Sequence, residues 1–535
     1  MQRLSLLTLT LGAILTANAY APQIYPGYNF CGVSPDGTYA LSFDNPSTGV
    51  MNLITGEALQ IPTGYDYGVG PGNAISNSAT IAGSSLSDRA AIWKNGKWQL
   101  INPSAKVRAS YAFGITPDDS RIVGIVQSDE YKNDEFEGLM YVPCYWDLQP
   151  DGSYTEAKVL PHPVTDLTNR SPQSVTAVWV SEDGNTIAGQ MEDYMGYIYQ
   201  PIVFTYNGYS WDYTLIADDL FHVDGLVAPP YPSHEPLPTD YMTPEDIDDY
   251  NADVKAWEDD PNAPAFRYPV YEDYMDPEKW SEFQEDLGEY LDQVSEFSEY
   301  YSELVQKVPT FEKNNVLLSS DGKYYASTDV KVYINPELFL YNYVKTPYLI
   351  NVETDEWTAY SDPEANVYVT SLGDDGTLLG QVNDGEAYMA YILTPGAKKF
   401  IPFLSLMEQQ NPSIADWMKE NMTHSYQLLD PETGIYDTSA VATGSPFATP
   451  DLSTIVFGLQ NFWQYPDEEG YAPFYGYAIQ PGIAGVESIG AESIHDGVYR
   501  VFNLQGVKIL ETKDASAIYQ LPHGIYVVNG KKILL

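Results

Sequence analysis

The sequence predicts an all-β chain: a seven-bladed β-propeller with an inserted α-helical hairpin and a small C-terminal β-sandwich-like domain. Three observations carry this. One short phrase recurs seven times, a stretch of helical period interrupts the series, and the composition changes after Pro481. Of the 535 residues 44 % are apolar and 14 % aromatic, enough for a large core in spite of a net charge of −48. That charge disfavours nucleic acid and anionic membrane surfaces as partners, because both are recognised through clustered Lys and Arg.

At the N-terminus Arg3 precedes the apolar run Leu4 to Leu15 and the small-residue pattern Ala17-Asn18-Ala19. This is the layout of a secretory signal peptide over residues 1–19, and the run is shorter than the roughly 20 residues of a bilayer span. The expected mature chain is exported and has no transmembrane segment. Its two cysteines, Cys31 and Cys144, fall in the first and third repeats and are expected to stay as two buried thiols.

The repeats occupy residues 20–482. They are Gly32-Val-Ser-Pro-Asp36-Gly37, Ala74-Ile-Ser-Asn-Ser78, Gly114-Ile-Thr-Pro-Asp118, Val180-Ser-Glu-Asp183-Gly184, Leu318-Ser-Ser-Asp321-Gly322, Ser371-Leu-Gly-Asp-Asp375-Gly376 and Ala448-Thr-Pro-Asp451. Most run on into Ile-x-Gly or a variant of it. Each reads as a strand, a tight turn and a second strand, since Asp and Gly accept the backbone angles such a turn demands. Further strand-like phrases such as Ala91-Ile-Trp93 and Tyr145-Trp146 complete four strands per unit, which is one propeller blade. After the seventh copy Phe474 to Ile479 supplies a third strand without a fourth, so the stretch around Ile24 to Phe30 is expected to pair there and close the ring. The Asp-Gly copies read as turn chemistry. None offers the closely spaced Asp/Asn series of a calcium loop, so no cofactor is expected and calcium is the open alternative. The repeats resemble the loose Ser-x-Asp-Gly and Ile-x-Gly repeats of secreted bacterial β-propeller proteins of the WD40-like or kelch-like kind. That resemblance implies the fold and no activity.

Residues 240–310, between the fourth and fifth repeats, break the pattern. Thr243-Pro244-Glu245 and Asp276-Pro277-Glu278 are helix starts. Beyond the second, Trp280, Phe283, Leu287, Tyr290, Val294, Phe297, Tyr301, Leu304 and Val308 lay one apolar stripe along a helix of about 30 residues. A shorter helix with Ile247, Tyr250, Val254 and Trp257 is expected to pack against it as an antiparallel pair. The other face, including Glu278, Glu282, Glu285, Glu289, Glu296 and Glu303, reads as solvated, with docking of a basic partner or a divalent cation as the alternative.

Residues 483–535 are strand-rich. Val501-Phe-Asn-Leu504-Gln-Gly506 and Leu521-Pro522-His-Gly524-Ile-Tyr526-Val-Val-Asn529-Gly530-Lys531 resemble the C-terminal sorting domains of the type IX secretion system in Bacteroidetes. The Pro-Asn-Pro-like opening of many members is absent around Ile489 to His495. The resemblance implies export across the outer membrane, secretion machinery as a partner, and a place at the cell surface or outside the cell.

The six histidines are scattered and no metal-binding or nucleophilic motif is present, so an enzyme is the less favoured reading. A polysaccharide-degrading enzyme using two carboxylates stays open. The 45 Tyr and 10 Trp point to recognition of glycan or extracellular protein, because sugars stack their apolar faces on aromatic rings and bond hydroxyls at the edges. Tyr65, Tyr67, Tyr194, Tyr197, Trp463 and Tyr465 lie in loop-like stretches and are the candidate ligand contacts.

Overall fold

The computed structural model describes residues 21–534 apart from 43–48, 62–66, 70–72, 103–106, 133–138, 231, 233–234, 260–267, 336–339, 363–364, 384–387, 431–433, 461–473, 483–498, 504–507, 513–524 and 529–530. The chain is mostly β, and it divides into two compact units: residues 219–309 with 167–169, and the remainder.

In the larger unit the repeats become antiparallel sheets whose strands follow sequence order. Phe30–Val33, Tyr39–Ser42, Gly49–Asn52 and Ala58–Gln60 form one, and Tyr67–Val69, Ile81–Ser85, Arg89–Lys94 and Lys97–Leu100 the next. The third and fourth repeats merge into a nine-stranded sheet, because the short strand Ser174–Val175 sets Ser174 beside Tyr141. Sheets starting at Leu317–Leu318, Tyr368–Leu372 and Ser445–Ala448 follow. The last is completed by Gln23–Pro26, with Tyr25 opposite Gly476, so the two ends of the array share one sheet. The expected closing segment ran to Phe30, but Phe30 already opens the first sheet. This propeller-like arrangement hides strand edges that an open row of sheets would expose.

The repeated phrase has a common local cause. In Ser34-Pro-Asp36 the Ser34 hydroxyl donates to Asp36 at 2.7 Å, Asp36 accepts the Thr38 amide at 3.0 Å, and Ser34 Oγ accepts the Tyr39 amide at 2.9 Å. The same three bonds recur at Thr116/Asp118, Ser181/Asp183, Ser319/Asp321 and Thr449/Asp451. Side chains thus satisfy the turn's amides without neighbouring strands. The Gly of Ile-x-Gly answers a different need. A Cβ at Gly124 would lie 1.9 Å from the Tyr111 carbonyl oxygen, and one at Gly189 1.8 Å from that of Thr176, so the innermost strand passes too close for any side chain.

Two features depart from the expected layout. Helices Phe403–Gln410 and Pro412–Asn421, with the hairpin Thr423–Asp430/Gly434–Val441, interrupt the larger unit between the sixth and seventh repeats. Phe403, Met407 and Met418 are buried there in a cluster with Phe457 and Tyr477. Cys144 is fully buried, whereas Cys31 is half-buried, and the two are not joined. At the C-terminus Lys508–Thr512, Tyr499–Asn503, Ile525–Val528 and Lys531–Leu534 form one four-stranded sheet; a sandwich's second layer is not among the described residues.

In the smaller unit α1 spans Pro244–Glu258 and α2 spans Pro277–Lys307. Thr243 caps the first by accepting the Asp246 amide, and Asp276 caps the second through the Glu278 amide. Short 3-10 turns mediate their packing. Tyr250 of α1 stacks on Tyr271 at 4.2 Å, while Tyr241 meets Phe283 of α2 edge-on at 5.5 Å. Met242, Tyr250, Met275 and Phe283 form the buried cluster. The stripe from Trp280 to Val308 is the shielded side of α2, and the glutamates face solvent. No helix among the described residues is long and apolar enough to cross a membrane.

Candidate functional site

The innermost strands of the larger unit converge on a channel with a cavity of about 770 Å³. Register decides what faces it. Counting back two residues from the first position of each repeated turn gives Gly32, Ala74, Trp179, Leu317, Ser371 and Phe447, all of which line the cavity. In the third repeat that position is Gly114, and Pro117 lines the cavity instead.

One end of the channel is built by the turns themselves, which are tied to one another. The Asp36 amide donates to Asn77 Oδ1 at 3.0 Å and the Asn77 amide to the Pro117 carbonyl at 3.0 Å. Farther round, the Glu182 amide donates to Ser320 O at 2.7 Å, the Ser320 amide to Asp374 Oδ1 at 2.7 Å, and the Asp374 amide to Pro450 O at 2.9 Å. Asp36, Glu182, Asp374 and Asp451 make this end acidic. Burial raises the Asp374 carboxyl above its ordinary range, as do the charges of Asp321 and Asp451, although the Ser320 amide and hydroxyl bond it and pull the other way.

Deeper in, Val33, Ile75, Trp179, Val369 and Phe447 supply apolar wall, and Asn73, Asn315, Thr370, Gln381 and Ser445 supply amides and hydroxyls. Several of these already stitch strands together. Asn315 donates to Val369 O at 3.0 Å and accepts the Thr328 amide at 2.8 Å, and the Ser445 hydroxyl donates to Gln381. Tyr368 also lines the wall, with its hydroxyl pushed up to about 12 by burial and by Glu312. The Lys345 ammonium lies 5.6 Å from the Tyr368 ring centre, and burial lowers its pKa against the opposing effect of Glu312. Among the described residues that line the cavity there is no Lys, Arg or His. Among the described residues no three His, Cys, Asp or Glu side chains gather as metal ligands.

The candidate contacts chosen from sequence scatter. Tyr194 is 3 % exposed, with its ring against Arg170 at 4.5 Å and its amide bonded to Asp166, so it does not present itself to a ligand. Tyr197, in the same turn, is 59 % exposed, because Asp193 accepts the Tyr197 and Ile198 amides and sends the two tyrosines opposite ways. Tyr67 begins the strand Tyr67–Val69, while Tyr65, Trp463 and Tyr465 lie outside the described residues. Of the tail motif, Tyr526 and Lys531 lie in the strands Ile525–Val528 and Lys531–Leu534, and Leu504, Gly506, Pro522, Gly524, Asn529 and Gly530 lie outside the described residues. Sequence reading missed Trp179, Tyr368 and Phe447. The signal that finds Trp179 and Phe447 is their fixed distance from the turn.

No family model and no curated protein matches this sequence. Among solved structures, an oligogalacturonate lyase from Vibrio parahaemolyticus is similar at 11 % identity and a TM-score of 0.42, over 85 % of this chain and 91 % of that one. The polysaccharide lyase Uly1 follows at 8 % identity and 0.35, over 86 % and 90 %, and the Dos1 propeller at 6 % and 0.36, over 85 % and 95 %. All three scores are below 0.5, and the propeller-like fold rests on the sheet connectivity.

Proposed function

We propose that the chain is an exported, non-catalytic seven-bladed β-propeller that recognises an uncharged glycan through its central channel, at the cell surface or outside the cell. The C-terminal segment is then its address to the secretion machinery. The lining of the channel carries the reading. A cavity of about 770 Å³ suits a ligand of a few sugar units, and Trp179, Tyr368 and Phe447 offer rings beside amides and hydroxyls. With acids at one end and no cation in the described lining, an anionic ligand is repelled.

A two-carboxylate hydrolase is less well supported, because three of the four acids at the channel end are committed to structure. Asp36 holds Ser34 and Thr38, Asp374 holds both donors of Ser320, and Asp451 holds Thr449 and Ser453. A carboxyl that anchors a turn is poorly placed to move protons or attack a sugar.

The test is binding of the purified exported protein to a glycan array, with calcium and with chelator, beside Trp179→Ala. We expect selective binding to neutral glycans and a loss of about tenfold in the variant. Equal binding by both overturns the channel as the site. Abolition by chelator assigns calcium a part in recognition. A blank array moves the reading to a protein ligand, for which the solvent-facing glutamates of α2 are the docking surface; deleting residues 240–308 then abolishes capture of a basic partner.

A further inference from the structure

Three aromatic side chains outside the channel are left exposed on one hairpin. Strands Tyr199–Tyr206 and Trp211–Leu215 are joined by Asn207-Gly208-Tyr209-Ser210, and Tyr206, Tyr209 and Tyr213 are 38 %, 96 % and 41 % exposed. Tyr206 serves the turn, its hydroxyl donating to the Gly208 carbonyl at 3.1 Å, but the Tyr209 ring does not. Asn207 Oδ1 accepts the Tyr209 and Ser210 amides, both at 3.0 Å, and its Nδ2 donates to Asp212 at 3.0 Å, so a small residue at 209 would serve the backbone equally well.

Of these, Tyr206 continues into a row. The Tyr206 and Trp211 centroids are 5.4 Å apart, and Trp211 is 5.4 Å from Tyr145 on the strand Leu139–Asp147 of the third repeat. The row is fixed from one side by Arg121, whose guanidinium carbon lies 4.8 Å from the Tyr145 centroid and 5.3 Å from that of Trp211. Arg121 is itself held by Asp147 at 2.7 Å and by the Gly184 carbonyl at 2.6 Å. Lys158 stands 5.4 Å from the Tyr145 ring and donates to Asp147 at 2.7 Å, with nearly half of its side chain in solvent. Aromatic rings in a row, tilted by 44–50° and bordered at one edge by a carboxylate and the half-exposed Lys158 ammonium, offer the apolar surface and hydroxyl-bonding groups that a sugar chain requires.

We propose that Tyr145, Trp211, Tyr206 and Tyr209 form a second glycan-binding surface, which holds an extended stretch of polysaccharide outside the channel. A sugar rests on the exposed Tyr206 ring beside the Trp211 edge, its hydroxyls reach toward Asp147 and Lys158, and Tyr209 covers the next unit along the chain. The surface shares no side chain with the cavity, so it stands or falls apart from the channel reading.

The experiment compares wild-type protein, Tyr209→Ala, Tyr206→Ala/Tyr209→Ala and Trp179→Ala on an array of polysaccharides and their short oligomers. The Tyr209 ring carries none of the core, so the thermal midpoint of Tyr209→Ala should match wild type, while the double variant, which also loses the Tyr206–Gly208 bond, should fall only slightly below it. We expect the double variant to lose polysaccharide binding by about tenfold or more, Tyr209→Ala to lose a smaller part, and both to keep the short oligomers that Trp179→Ala loses. Wild-type polysaccharide binding by the double variant overturns the proposal even if Trp179→Ala fails to bind. A wild-type protein that binds no polysaccharide also overturns it, whereas the channel reading then passes to short oligomers or a protein ligand.

Discussion

The side-chain amide of Asn73 donates to the main-chain carbonyl of Val180, 107 residues away, at 3.0 Å, and to that of Ile115 at 3.2 Å. One residue of the second repeat thus reaches past the inner strand of the third to hold the fourth. The gap exists because position 114 is glycine: a Cβ there would lie 2.4 Å from Asn73 Oδ1 and 2.7 Å from the Val178 carbonyl oxygen.

Asn73→Ala should therefore cost about 1–3 kcal/mol, since it removes both donated bonds and the one its Oδ1 accepts from the Val180 amide, and leaves two carbonyls to find other donors. Gly114→Ala should cost at least as much by expelling the Asn73 side chain. Thermal unfolding of the two single variants and the double variant checks this. If the double variant is no worse than the worse single one, both act through the same stitch.

Gly189→Ala should destabilise by about 3 kcal/mol or prevent folding, because the inner strand must move away from the new Cβ. Gly288 of α2 is the control, with open space around its Cβ position and helical backbone. Gly288→Ala should stabilise by about 0.5–1 kcal/mol, measurable by denaturant unfolding.

Asp119 contributes in the opposite pH direction from Asp374. Burial works to raise its pKa, but Lys94 at 2.8 Å and the hydroxyls of Ser78 and Thr80 outweigh it, so the folded value lies below the ordinary one. The stabilisation is then present above the unfolded value of about 3.9 and is lost as pH falls through the folded one. Asp119→Asn should cost about 2 kcal/mol at pH 7, and the difference from wild type should shrink as pH falls through the folded value.

For Asp374 the folded pKa is raised, so its contribution is fully present below the unfolded value and is lost as pH rises through the folded one. Asp374→Asn, which can still accept the Ser320 amide, should gain on wild type as pH rises from about 4 and then hold a constant lead. Denaturant midpoints from pH 4 to pH 8 measure the difference. A lead that shrinks with rising pH would show that Ser320 dominates.

Much of the fold was legible because its causes are local. Ser34, Asp36, Thr38 and Tyr39 satisfy one another within six residues, so the phrase that encodes the turn can be read wherever it recurs. Thr243 and Asp276 announced their helices for the same reason. The helices Phe403–Gln410 and Pro412–Asn421 were missed, because pieces of 8 and 10 residues are marginal alone and exist here through the burial of Met407 and Met418. Asn411, whose side chain accepts the Ile414 amide ahead of Pro412, was the available signal.

By itself the sequence determined the repeated turns, the long α2 stripe and the need for a borrowed strand at the end of the series. Each of these follows from backbone sterics, local hydrogen bonds or periodicity, which act over a few residues. Only the tertiary structure decided where the borrowed strand stops, short of Phe30, that Tyr194 turns inward while Tyr197 turns out, and that Trp179, Tyr368 and Phe447 meet around one channel. Those outcomes depend on contacts between residues tens to hundreds of positions apart, and the strand register that selects them is fixed only when the sheets assemble.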